Sequence, residues 1–427
     1  MTATEIAKVV GRRVWDSRGR PTVEAEVELA GGATGRAIAP AGASTGSGEA
    51  LDRRDGGARF GGKDVAGAVA AVNGEIAAAL AGMDAAHQAG VDWRMIELDG
   101  TAQKSRLGGN ALVAVSLAVA HAAAAAAGMP LWRYLAAGRQ VALPLPEVQI
   151  FGGGAHAGRR VDIQDFMVIA VGAETFAEAL DNTAEVYRAA GELLGAEGKL
   201  MGVADEGGYW PAFDTNEEAL GLLVAAIERA GLVPGADMAI SLDIAASDFG
   251  KGGRYRLARE GRELDTDAMS GMLLEWIDKY PIVSIEDPLA EDDEAGLIAF
   301  TEAVGGRVQV VGDDYLVTSA PRVHHARDVG ACNTVLIKPN QAGTVTETHA
   351  ALEVAHASGW GAIVSARSGE SEDVSIVHLA VGWGARQLKV GSFTRSERMA
   401  KWNEGLRIGE AIGSALPPRS AFQWSKG

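Results

Sequence analysis

Cysteine is all but missing from this chain. Cys332 is the single one in 427 residues, which excludes an intrachain disulfide and leaves stability to the core. It lies beside an apolar run, so it reads as a packed thiol rather than a reactive one. Positive charge is also scarce. Lys and Arg total 39 against 56 Asp and Glu, a formal charge of −17. With no basic stripe to offset that balance, nucleic acid and anionic membranes are excluded as principal partners. An anionic ligand would need cations or metal concentrated at one place. The N-terminal MTATEIAKVVGRRVWDSRG has no apolar core ahead of its Arg pair, so no secretory leader is expected and the chain reads as cytoplasmic. Short-period repeats are absent, and only the last few residues read as disordered.

Long hydrophobic runs are lacking too, with one exception. Residues 111–127, ALVAVSLAVAHAAAAAA, are nearly all apolar but Ala-dominated, contain Ser116 and His121, and stop at Gly128-Met129-Pro130. The run is at the short end for a span and Ala has little membrane affinity, so a tightly packed buried helix is expected.

What remains is an ordinary globular composition, 47% hydrophobic and 22% charged, long enough for two domains or a barrel with an appendage. In Thr22–Ala30 apolar residues alternate with Glu24, Glu26 and Glu28, which predicts a half-exposed antiparallel strand. Gly31-Gly32 turns it into a partner, ATGRAIA. The segment PAGASTGSGEA (40–50) is small, polar and aperiodic, a flexible loop by composition. Helical stretches are expected at 64–80 and 110–135. Strands followed by helices make this part α+β.

From about residue 143 strands and helices alternate, with helices expected from Phe176 to Leu194 and from Glu217 to Ala230. Six hydrophobic runs then end in charged residues: MAISLD at Asp243, PIVSIE at Glu286, VQVVGD at Asp313, TVLIK at Lys338, AIVSAR at Arg367 and RQLK at Lys389. Most intervals suit one strand–helix unit, which predicts a parallel barrel with its active site at the C-terminal strand ends.

Asp243, Glu286 and Asp313 are hard oxygen donors on neighbouring strand ends, a set suited to Mg²⁺ rather than to three independent helix caps. Lys338 and Lys389 face the same mouth, and neighbouring cations are expected to lower a lysine toward the range of a general base. Arg367 can hold a phosphate or carboxylate bidentately. Earlier segments add Glu206 in DEGG, His156 in FGGGAHAG and Gln164-Asp165 in a strand-like run. Alone, His156 reads as a structural histidine and Asp165 as a capped or paired acid; together with Lys338, Glu206 and Lys389 both are candidate catalytic residues.

The chain resembles the enolase family over nearly its whole length. The resemblance is carried by DSRGRPTVEAEV, GASTG, MIELDGT, KSRLGGNALVAVSLAVA, DEGG, YPIVSIEDPLAEDD, VGDD, IKPNQAGT, RSGESED and RSERMAKWN. It implies an α/β fold: a modified (β/α)8 TIM-like barrel over 143–427, with an N-terminal α+β capping domain over 1–135. The loop 40–50 is then a mobile catalytic loop, and a homodimer or larger homo-oligomer is implied. Enolases dehydrate 2-phosphoglycerate to phosphoenolpyruvate, using a lysine base and Mg²⁺ to stabilise an enediolate. Carried over, Asp243, Glu286 and Asp313 hold a first, structural Mg²⁺ and Ser44 a second, catalytic one. Lys338 becomes the base, Glu206 the acid for the departing hydroxyl, and Lys389 the partner of the substrate carboxylate. Arg367 and Ser368 become the phosphate-binding pair.

Five positions depart from the family pattern. Ala366 stands where SHRSG is usual, Asp165 where QEF is usual after Gln164, and Gly152 where NGG is usual. Ala41 replaces a serine before GASTG, and Ser47-Gly48 replaces bulkier residues. Each removes volume, which predicts an enlarged pocket with enolisation kept. The leading expectation is therefore a specialised relative for a phosphorylated or phosphonylated carboxylate with a larger phosphorus-linked group. It resembles the carboxyphosphonoenolpyruvate synthases of phosphonate and phosphinate biosynthesis. An ordinary 2-phosphoglycerate dehydratase is the alternative, and a non-catalytic structural enolase a third.

Overall fold

In the computed structural model, which describes residues 2–425, the chain begins with a three-stranded antiparallel sheet. Its strands β1 (Ile6–Trp15), β2 (Pro21–Leu29) and β3 (Thr34–Ile38) pair in that order. The alternating segment is the central strand β2, and it is less exposed than alternation predicts. Glu24 is buried because Arg12 of β1 reaches across to it at 2.6 Å. Strand β1 itself is not legible from alternation; its pairing with β2 shifts register between Ile6 and Lys8.

The Ala-rich run forms the helix Gly109–Ala126, which packs on β2 and β3 and is 83% buried. Small residues allow that approach. A Cβ on Gly35 of β3 would come within 2.2 Å of the Ala118 carbonyl oxygen and of the Ala122 amide nitrogen. The expected single helix 110–135 is two, because Pro130 caps a separate helix Leu131–Ala136. The 64–80 segment is helical over Ala66–Leu80 with a π turn at Val72–Ile76, and a further helix, Gln88–Asp99, lacks a strong sequence signal.

Strands β4 (Leu145–Gly152) and β5 (Asp165–Ile169) open the barrel, and a hairpin of β6 (Leu200–Val203) and β7 (Tyr209–Pro211) extends from β4. After β8 (Ala239–Asp243) comes a small antiparallel sheet of β9 (Gly250–Lys251), β10 (Arg254–Leu257) and β11 (Arg262–Asp265). It accounts for the wide interval between Asp243 and Glu286. Strands β12 (Ile282–Glu286), β13 (Gln309–Gly312), β14 (Thr334–Ile337), β15 (Gly361–Ser365) and β16 (Gln387–Ser392) complete the wall. The order is β4-β5-β8-β12-β13-β14-β15-β16, closed by β16 on β4.

One strand breaks the expected parallel pattern. β5 is antiparallel to both β4 and β8. The reversal carries its first residue, Asp165, to the mouth, level with Asp243 on one side and Gly152 on the other. Three surrounding helices start with a Thr-x-x-Glu box. Thr175, Thr215 and Thr344 each accept the amide of the Glu three residues on, at 3.2 Å.

Candidate active site

Five of the six expected anchors sit at or just beyond strand ends. Asp243 and Glu286 close β8 and β12, Asp313 and Lys338 follow β13 and β14, and Arg367 lies just past β15. Lys389 is different, lying inside β16 beside Ser365. All six are buried, and all but Glu286 line one cavity with His156, Gln164, Asp165, Glu206, Ser44, Ala366 and Ser368.

The acids do not converge on one another directly. Lys389 Nζ stands between two of them, donating to Asp243 Oδ2 at 2.9 Å and Glu286 Oε2 at 2.7 Å, with Asp165 Oδ2 at 3.6 Å. Asp243 Oδ2 also accepts from Gln164 Nε2 at 3.0 Å. Asp313 is paired separately, with Lys338 Nζ at 2.5 Å and Gln341 Nε2 at 2.8 Å. Among the described residues, two clusters have ligand atoms within 4.8 Å of one another: His156, Asp165 and Glu206, and Asp287, Asp313 and Asp314. The expected ligand trio shares only Asp313 with them.

The donor set nevertheless suits a divalent cation. Glu286 Oε1 is buried without a hydrogen-bond partner. Burial first, then the neighbouring Asp243, pushes the Glu286 carboxyl well above its ordinary range, so a cation beside it would favour the ionised form. Hard oxygens in such a setting fit Mg²⁺.

The two lysines depart from expectation. Burial, the largest single influence, lowers the Lys338 ammonium, but Asp313 and Glu286 together raise it and the net shift is upward. Lys389 behaves likewise: burial opposes its charge, yet Asp243, Glu286 and Asp165 hold it well above the usual range. Neighbouring cations count for less than the carboxylate each lysine touches.

His156 is central rather than merely structural. Its Nε2 is 2.9 Å from Ser368 Oγ, and its Nδ1 faces Asp165 Oδ1 at 3.5 Å and Glu206 Oε1 at 3.9 Å. Burial pushes the Asp165 carboxyl up, but His156 and Lys389 pull it down to about 2. Glu206, shifted upward chiefly by burial, favours its protonated form. Beside His156 the cavity thus sets an acid held below its ordinary range against one shifted above it.

The 40–50 loop is tied down at both ends, whatever its composition suggests. Ala41 exchanges backbone hydrogen bonds with Gly369, and Ala43 N donates to Ser368 Oγ. Ser44 Oγ donates to Asp248 Oδ1 at 3.0 Å, away from the carboxylate trio, and Ser47 donates to Glu291. Glu49 forms a bidentate pair with Arg367 at 2.9 and 3.1 Å.

The smaller residues do not add up to an enlarged pocket. The space beside Gly152 is filled, since a Cβ there would meet Ala204 Cβ at 2.6 Å, and Gly152 does not line the cavity. The side-chain direction of Gly48 is likewise taken by Arg322. Ala366 does line the cavity. The free volume is about 20 Å³, room for a water or two.

Residues not singled out from sequence complete the site. Arg398, fully buried, donates to the Arg367 and Ser368 carbonyls and so fixes that turn. Asp287 accepts the Asp313 and Asp314 amides at 2.9 Å. Asn340 and Gln341 follow the Lys338-Pro339 pair, and Glu49 is the only acid in its loop, signals that were present but weak.

Comparison with known proteins agrees with the geometry. The family model for the enolase N-terminal domain matches residues 6–135, and that for the enolase C-terminal TIM barrel domain matches residues 140–420. A protein of Rubrobacter xylanophilus named enolase is 50% identical over 422 residues, covering 98% of each chain.

Proposed function

The chain belongs to the enolase family, and from that premise we propose that it dehydrates 2-phosphoglycerate to phosphoenolpyruvate. High identity to a named enolase over almost the full length favours this reading over the specialised one expected from the five departures. The observation that carries it is the placing of Lys338 and Glu206 in one cavity with Arg367 and Ser368.

In this reading Arg367 and Ser368 hold the phosphate, and Lys389 faces the carboxylate. Lys338 Nζ, as the free amine, takes the proton from the carbon beside the carboxylate. That electron pair forms the double bond as the hydroxyl leaves, taking a proton from Glu206 to depart as water. An α-proton on a carboxylate is weakly acidic, so concentrated positive charge is needed. A divalent cation held by Asp243, Glu286 and Asp313 would supply it, and a second would be held at Ser44. Asp313 opposes the free amine of Lys338, so their pair must loosen before the base can act. A homo-oligomer, dimer or larger, and a cytoplasmic location belong to the same proposal.

A second reading rests on Ala366 and Asp165, which both line the cavity. It keeps enolisation but assigns a substrate with a larger phosphorus-linked group. Purified protein with Mg²⁺ and 2-phosphoglycerate, followed by phosphoenolpyruvate absorbance, separates the two. Ordinary turnover supports the dehydratase. No turnover with retained α-proton exchange into D₂O supports the second reading.

A further inference from the structure

Arg367 is the guanidinium read as the phosphate-binding group, yet both of its terminal nitrogens are already engaged. Nη1 donates to Glu49 Oε2 at 2.9 Å and Asn340 Oδ1 at 3.1 Å. Nη2 donates to Glu49 Oε1 at 3.1 Å and to the Ser44 carbonyl at 2.9 Å. Glu49 is itself fixed: Oε1 accepts the Gly46 amide at 3.0 Å and Gln341 Nε2 at 3.3 Å. Both side chains are almost fully buried, at 3% and 4% exposure.

These three partners come from two separate parts of the chain. Glu49 and Ser44 come from the 40–50 loop, Asn340 from the turn after Lys338. Steric fit points the same way, because a Cβ on Gly42 would lie 2.1 Å from Arg367 Nη2. The loop backbone is therefore pressed directly onto the guanidinium. A buried arginine without its carboxylate would be an uncompensated charge, so loop and arginine hold each other.

We propose that Glu49 is a positioning residue: its carboxylate orients the Arg367 guanidinium and latches the 40–50 loop over the cavity, so that closure and anion binding form one event. The proposal rests on the reading of Arg367 as the anion-binding group. Glu49 acts through Arg367 and touches no reacting atom. Its effect differs in sign from that of a simple competitor. A competing carboxylate would weaken anion binding, and its removal would strengthen it. A positioning carboxylate strengthens anion binding, and its removal weakens it.

The test uses the full-length protein with inorganic phosphate as the probe, and needs no turnover. Phosphate affinity is measured by calorimetry, and loop closure by the rate of cleavage within 40–50 by a non-specific protease. Glu49→Gln keeps the shape and removes the charge; it is expected to lower phosphate affinity about tenfold and to speed cleavage at least as much. Glu49→Asp keeps the charge one methylene short and should recover part of both, which a general folding defect would not do. Unchanged or tighter phosphate binding in Glu49→Gln overturns the proposal. So does a loop that stays as protected as in the wild type. Should Glu49→Gln fail to fold, Glu49→Asp alone decides, by weaker binding or by none. Absence of 2-phosphoglycerate turnover in the wild type would defeat the dehydratase reading while leaving both measurements intact.

Discussion

Lys338 Nζ lies 2.5 Å from Asp313 Oδ2, so the proposed base is paired with one of the proposed metal ligands. Burial raises the Asp313 carboxyl, but Lys338 and Arg367 outweigh it and hold it below its ordinary value. The pair stabilises the protonated lysine and the ionised aspartate together. Base strength at Lys338 is thus set by what else draws on Asp313.

The first prediction concerns Lys338 directly. Lys338→Ala should abolish exchange of the substrate α-proton into D₂O, read by NMR, while circular dichroism and thermal melting remain those of a folded protein. Exchange that survives would remove Lys338 from the role of base.

Much of this arrangement is legible from the chain, for identifiable reasons. Buried parallel strands are near-continuous apolar runs, so Asp243, Glu286, Asp313, Lys338 and Arg367 mark their ends by a change of chemistry. Lys389 is also marked by its run, although it sits within β16. The reversal of β5 is not legible, because strand direction leaves no trace in a five-residue apolar segment. Nor is Lys338's upward shift, which depends on a 2.5 Å distance to a residue 25 positions away. Neighbouring cations were visible in sequence order; the carboxylate in contact was not. The enlarged pocket fails for a similar reason. Small residues at Gly152 and Gly48 imply space only until Ala204 and Arg322 are seen to fill it.

A second prediction concerns Asp92, buried between the N-terminal helices and the barrel. It accepts from Ser116 Oγ, from Thr346 N and Oγ1, and from Gln88 Nε2. Burial nevertheless pushes it up to about 6. A folded-state value above the unfolded one means that the native state binds the extra proton. Its stabilisation is present below about pH 4 and lost as pH rises through about 6. Asp92→Asn removes that dependence. The stability difference between variant and wild type should change by about 2 kcal/mol, in favour of the variant, between pH 4 and pH 7. Denaturant titrations at the two pH values measure it, and a difference independent of pH would refute the assignment.

Metal binding gives a third. A cation that binds only the folded protein stabilises it by mass action, by about 2.7 kcal/mol at a hundred times its Kd. Thermal melting should therefore rise with Mg²⁺ and fall back on chelation. Asp243→Asn removes one anionic donor and leaves Lys389 with Glu286, so most of the Mg²⁺ response should disappear while the melting temperature without Mg²⁺ changes little. A full Mg²⁺ response in that variant would place the cation elsewhere.

Ala366 provides the last prediction, because it is where the two functional readings diverge. Its side chain is a methyl on the cavity wall and offers no polar group, while its amide only continues the sheet by donating to the Lys389 carbonyl at 2.8 Å. In the proposed dehydration Lys338 and Glu206 supply both proton transfers, so no step requires a group at this position. Ala366→His should then change kcat/KM for 2-phosphoglycerate by less than about threefold, since no interaction made only in the transition state is added or lost. If instead dehydration depends on an imidazole there, the wild type is slow and the variant gains tenfold or more. Such a gain would mean that the alanine had removed what the departing hydroxyl needs. The second reading, enolisation on a different phosphorus-linked substrate, would then displace the first.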